Sequence, residues 1–162
     1  FYGIYWFYKN WKLQQKMIDK KIYPIWRAIF AIFFTHSLFK RINQQASHLD
    51  KKHKFNANIY ATLFVFSIIV SNLLDHLHGN IQLPAHISNN SIIITSLLIF
   101  VLSVFPLLKA QATINRINND ILGYLNYKYS LPNYILIVTG SAIWLMLALG
   151  LLFDYMGIVT TE

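Results

Sequence analysis

The sequence contains no cysteine, which excludes a disulfide framework and any metal or iron–sulfur centre held by thiolates. Charge is nearly as scarce. Only 12% of the 162 residues are Asp, Glu, Lys or Arg, about half the share found in an ordinary soluble domain. Six side chains are acidic, so paired carboxylates for general acid–base work have few candidates. Asp75 and Asp154 are the two that fall at the ends of apolar runs. No glycine-rich phosphate loop, GxSxG elbow or HExxH pair occurs, and with them go the commonest readable signs of catalysis. The opening residues do not read as a cleavable leader, whose basic region precedes its apolar one. Here the aromatic run Phe1–Tyr8 comes first, and a preceding segment is expected.

Where the charge is missing is informative. Phe55–Leu74, Ile81–Leu108 and Leu131–Phe153 contain no Asp, Glu, Lys or Arg. About 20 helical residues cross a bilayer core, so the pattern predicts an all-α, polytopic transmembrane helical bundle forming a single membrane domain. Full spans are expected at 58–74, 91–108 and 133–153, with Pro106 kinking or ending the second. Residues 1–8 read as the exit end of an earlier span. Their Tyr and Trp belong at headgroup level, and Lys9 and Lys12 follow on the aqueous side.

Eleven of the fourteen Lys and Arg lie between Lys9 and Lys54. Within that segment Ala28–Phe39 is apolar but only twelve residues long, about 18 Å of helix and too short to cross. Residues 24–42, opened by Pro24 in a first turn, are therefore expected to form an interfacial or re-entrant helix. Gln44–Lys54 reads as a hydrophilic loop. A second amphipathic helix is expected at 109–126, where Ala110, Ile114, Ile117, Ile121 and Leu125 recur at helical spacing. No Lys or Arg lies in Asp75–Asn90 or after Phe153, and the remaining three fall in Lys109–Pro132. The positive-inside rule puts both basic segments, and both amphipathic helices, on the cytoplasmic face. The loop 75–90 and the C-terminus then face the opposite side.

Four cations, Arg27, Lys40, Arg41 and Arg116, are candidates for anionic lipid head groups, each nearby charge being worth about 1 kcal/mol at an anionic leaflet. The net charge of +8 with interleaved aromatics also fits nucleic acid, but the embedded apolar helix favours lipid, and no nucleic acid is expected. Gly140, Ser141, Ala142 and Gly150 in the third span are small enough to let another helix approach closely. Asp75, His76, His78 and His86 form a possible metal-ligating group. Alternate histidines share a side only on extended backbone, and polar residues ending a span account for them equally. None of the six histidines falls inside a full span, so two-histidine haem ligation is not expected, nor any other cofactor. The spans carry Ser67, Ser71, Asn72, Ser96, Ser103, Thr139 and Ser141 but no ionisable group. Interhelical hydrogen bonds suit them better than a proton-coupled carrier does. Arg41-Ile42-Asn43 returns as Arg116-Ile117-Asn118, a short echo compatible with duplicated halves.

Tyr5–Trp11 (YWFYKNW), Pro24–Phe30 (PIWRAIF), Leu38–Ile42 (LFKRI), Pro106–Leu108 (PLL) and Ile114–Asn118 (INRIN) resemble a group of small, uncharacterised bacterial inner-membrane proteins. That resemblance implies the bacterial inner membrane, and no activity or site residue; with it, the outward-facing C-terminus assigned by charge is periplasmic. The expected function is an accessory, scaffold or regulatory subunit of a larger membrane complex, in contact with anionic lipid. Two alternatives stand beside it. One is lipid or small-solute transport through a groove between the amphipathic helices; the other is an outer-face metal or redox enzyme at Asp75, His76 and His78.

Overall fold

The computed structural model describes residues 2–18, 21–49, 55–80, 89–124 and 129–156. Their regular elements are α1 (Tyr2–Gln15), α2 (Pro24–Ile29), α3 (Ala31–Leu49), α4 (Ala57–Asn80), α5 (Asn89–Leu102), α6 (Val104–Ile117) and α7 (Leu131–Tyr155). No strand occurs among the described residues. Three segments are long and apolar enough to cross a membrane: Ala57–His76, Ser91–Ile117 and Leu131–Tyr155. The chain is an all-α membrane protein. The three charge-free stretches become these spans because a helix satisfies every backbone hydrogen bond internally, as lipid requires.

Helix boundaries depart from the sequence expectation at five places, each for a visible reason. α1 does not stop at Tyr8. Phe7, Asn10, Trp11 and Gln14 are its buried residues, at i, i+3, i+4 and i+7, a helical stripe that polar Asn10 and Gln14 conceal. The expected helix 24–42 is two helices broken at Phe30 (φ −94°, ψ 41°). The second of them runs on to Leu49, through what reads as loop. Thr35, Leu38, Phe39, Ile42 and Ala46 are all buried, so the inward stripe of α3 continues past Ile42. α4 starts at Ala57, with the Asn56 side chain accepting the Ile59 N–H at 3.2 Å, an N-cap that satisfies one of the free donors of the first turn. It then continues through Asp75 to Asn80, turning the first part of the expected loop 75–90 into helix.

The second span breaks at Ser103, three residues before Pro106. Proline has no N–H for the carbonyl four residues back and its ring crowds it. The strain falls on Leu102–Ser103, where Ser103 bonds backward to both Ile99 and Phe100. α6 ends at Ile117, well short of residue 126. Asn119 adopts φ 55°, the Asn119 N–H bonds the Arg116 carbonyl at 3.1 Å, and the Asp120 N–H bonds that of Asn115 at 2.8 Å. That pair of bonds is a Schellman cap. Ile121, expected on the inward side of the helix, is instead 76% exposed.

The core sits where α1, α3, α4 and α6 meet, around Phe7, Trp11, Leu38, Phe39, Ile42, Ala61, Phe64 and Ala110. α3 packs on both α4 and α6, and α4 packs along α5. α7 touches α1 and, through Trp144 against Phe100 at 6.5 Å, α5, but has no buried residue.

Candidate functional site: a cationic, aromatic corner between α1, α2 and α3

The residues that carry most chemical potential collect where α2 turns into α3. Arg27 lies in the last turn of α2, with its guanidinium carbon 4.3 Å from the ring centre of Trp11 and 5.1 Å from that of Phe34. The two rings meet edge to face, 86° apart at 6.3 Å. A planar cation against the faces of two rings is held by its stack as well as its charge. Trp11 is fully buried, so the platform beneath Arg27 is rigid.

Arg41, on α3, faces the same corner. Seven residues separate it from Phe34, two helical turns, and helical side chains lean toward the N-terminus. Its charge therefore acts on Arg27. Burial, then repulsion by Arg41, holds the Arg27 pKa below its ordinary value. Neither guanidinium pairs with a carboxylate or donates a hydrogen bond among the described residues, and the Nε of Arg41 is shielded without an acceptor. The charges of Arg27 and Arg41 thus act on each other with no carboxylate paired to either among the described residues.

Beside this corner α2 and the start of α3 expose Tyr23, Ile25, Trp26, Ile29, Phe30 and Phe33, the last at 77%. In α2, positions 25 and 29 fall on one side of the helix and position 27 about 160–200° away. Apolar and cationic sides are thereby separated on one short element.

Of the four cations expected to meet lipid, Arg27 and Arg41 are the pair within range of each other's charge. Lys40 is exposed one position round α3 and lines a cleft of about 450 Å³ with Asn43, Gln44, Ser47, Asn56 and Asn58. Arg116 is exposed in the last turn of α6, where it complements the negative end of the helix dipole. The space between the two amphipathic helices, the groove that transport would use, is occupied by the core residues Leu38, Phe39, Ile42 and Ala110, with Ile114 and Ile117 packed against them.

The Asp75 carboxylate accepts a hydrogen bond from the Ser96 hydroxyl, which ties it to α5. His76 follows it on the helix. The side chain of His78 and all of His86 lie outside the described residues. Helical backbone through Asn80 sets positions 76 and 78 about 200° apart, so the extended geometry that would align them is absent. No group of three or more potential metal ligands occurs among the described residues.

Gly140 and Gly150 have nothing within 4 Å of where a side chain would begin, and Ser141 and Ala142 are exposed. No described helix packs closely against the two glycines. The close approach expected there is found instead between α4 and α5, where Ser71 donates to the Ser96 carbonyl at 3.2 Å and both serines are buried. Sequence reasoning read those serines as hydrogen-bonding groups and missed that their size lets the helices close.

A further set of polar contacts was legible only in part. Gln14 and Gln45 exchange amide hydrogen bonds, the better at 3.0 Å, joining α1 to α3. The Trp6 indole donates to Gln111 at 2.8 Å, and Gln111 donates to Asn115 at 2.7 Å, joining α1 to α6. His36 shares a 3.1 Å hydrogen bond with Thr62 across α3 and α4. No protein-family model matches the chain, and neither curated proteins nor solved structures yield a match.

Proposed function

We propose that this chain is an accessory or scaffold subunit of a larger complex in the bacterial inner membrane. Its basic helices rest on the anionic cytoplasmic leaflet, and its last span is offered to a partner. The observation that carries this reading is α7: a 25-residue crossing helix with no buried residue, in which Gly140 and Gly150 have open space beside them among the described residues and Ser141 and Ala142 are exposed. Small side chains in a span favour close helix contact, because lipid tails solvate bulky apolar groups equally well and contribute no driving force of their own. The orientation is supported by charge. Lys109 and Arg116 on α6 and the cations of α2 and α3 flank the spans at the end that the positive-inside rule assigns to the cytoplasm, which supports a periplasmic C-terminus. The resemblance of Tyr5–Trp11 and Pro24–Phe30 to bacterial inner-membrane proteins supports the same compartment.

The native absence of cysteine makes the test direct. Single photo-crosslinking residues placed at 141 and at 146 in α7 should differ in living cells. A discrete protein adduct is expected from 146, which falls between Ala142 and Gly150 on one side of the helix, and only lipid or diffuse labelling from 141, about 140° away. Equal labelling from both positions, or none of protein, overturns the subunit reading. A reporter fused after Phe153 that is active in the cytosol overturns the orientation.

A further inference from the structure

From the corner between α2 and α3 we infer a specific anion site, in which Arg27 and Arg41 together bind one phosphate group at the membrane surface. This rests on the leaflet placement proposed above and names its chemistry. Three independent features converge. Arg27 is pinned by two aromatic rings at 4.3 and 5.1 Å. Aromatic rings accept none of the guanidinium's five N–H bonds as an anion would, so these contacts leave its donors available. Arg41, two helical turns after Phe34 on the same side of α3, adds a like charge to that corner, and its Nε is buried with no acceptor among the described residues. Unpaired cations near each other are a cost that a bound anion removes, and guanidinium donors match the oxygens of phosphate.

The third feature selects the surroundings. Ile25, Trp26, Ile29, Phe30 and Phe33 are exposed beside the pair. With α2 lying in the interface, those side chains enter the acyl region while Arg27, on the opposite side of the helix, is at phosphate level. α2 has six residues and α3 nineteen, about 9 and 28 Å of helix, lengths that suit lying in the plane. Lys40 and Arg116 belong to general leaflet attraction and not to this site, since Lys40 lines the amide-rich cleft on α3 and Arg116 ends α6.

The full chain in nanodiscs, released and weighed by native mass spectrometry, tests the site. With phosphatidylglycerol against phosphatidylcholine, one retained phosphatidylglycerol per chain is expected. Arg27→Gln and Arg41→Gln should each lower that retention about tenfold, the loss of one charge-assisted hydrogen-bonding partner. Arg27→Lys should keep the charge but lose much of the effect, and Lys40→Gln should leave retention unchanged. Far-UV circular dichroism shows whether each variant is folded. Because Arg27→Gln also removes a stacked group, Arg41→Gln is the decisive variant. Inorganic phosphate added to lipid-free protein in neutral detergent separates the sources. A phosphate-dependent rise in thermal stability that Arg41→Gln abolishes, with no lipid retained, assigns the site to free phosphate. Equal retention by wild type and Arg41→Gln, with no phosphate effect, overturns it. The α7 cross-links stand or fall apart from either result.

Discussion

Trp11 offers the sharpest test of the packing described above. It is fully buried among the helices of the core, touches Phe34 edge to face and supports Arg27, yet its indole N–H has no acceptor among the described residues. Trp11→Ala therefore removes a large core side chain, a loss of about 3–5 kcal/mol. The lost cation–π contact at Arg27 adds about 0.5–1 kcal/mol. Trp11→Phe keeps an aromatic ring and deletes a donor whose burial without a partner costs about 1–3 kcal/mol. That relief offsets much of the lost volume, so the phenylalanine variant should sit within about 1–2 kcal/mol of wild type. Titration with sodium dodecyl sulfate from mild detergent, followed by far-UV circular dichroism, reads helix content without relying on the replaced fluorophore. An alanine variant with the wild-type midpoint would refute the burial. A phenylalanine variant as damaged as alanine would show that the indole N–H is satisfied after all.

Three shorter predictions concern other joints of the fold. Asn119→Gly should be neutral or slightly stabilising, while Asn119→Val should cost about 1–2 kcal/mol, because φ 55° suits glycine and strains a β-branched residue; the same titration checks both. Ser96→Ala should cost only about 0.6 kcal/mol, the usual worth of an interhelical hydrogen bond in a membrane. Ser96→Leu should cost about 1–3 kcal/mol by forcing apart the α4–α5 seam, in which Ser96 is buried. Gln14→Leu and Gln45→Leu should each destabilise more than the double variant predicts by addition. A double-mutant cycle should show coupling of about 1 kcal/mol for their paired amides.

The spans were legible because length without charge is a one-dimensional signal, and lipid leaves helix as the only open structure that can fill it. The break near Pro106 was legible because a ring on nitrogen acts locally. What escaped were helices whose buried side is polar or small. Asn10, Gln14, Thr35 and Ala46 are buried with Trp11 and Phe39, but hydropathy scores them as loop or as neutral, so α1 and α3 looked shorter than they are. Gln14 and Gln45 are tolerated inside only because each satisfies the other, a fact that thirty-one residues of separation hide. The end of α6 carried a readable sign in Asn118-Asn119, since asparagine is the next choice after glycine for the left-handed cap. The continuing Ile121 and Leu125 periodicity outweighed it. Of the four expected lipid-facing cations, only the break at Phe30 sets Arg27 and Arg41 within range of each other's charge, and no residue type there announces it.

The distribution of packing follows from where water can compete. A hydrophobic core forms only when the alternative is exposure to water, whereas two apolar helices in lipid gain little by leaving the acyl chains. The buried aromatics Phe7, Trp11 and Phe39 lie on α1 and α3, and the cations Arg27, Arg41, Lys109 and Arg116 lie on α2, α3 and α6. α5 and α7 carry neither buried large residues nor basic ones. On that division the core belongs to the half of the molecule that meets water and phosphate, and the exposed leucines of α7 meet tails. α4 joins the two regimes, giving Ala61 and Phe64 to the core at one end and Ser71 to the seam with α5 at the other. The extensive apolar exposure of α7, which in water would mark an aggregating protein, is then the ordinary state of a helix whose solvent is lipid. The exposed residues of α2 differ, because a six-residue helix cannot cross and its apolar side has only the interface to enter. In the anion site proposed above, that position sets Arg27 and Arg41 against the lipid phosphates.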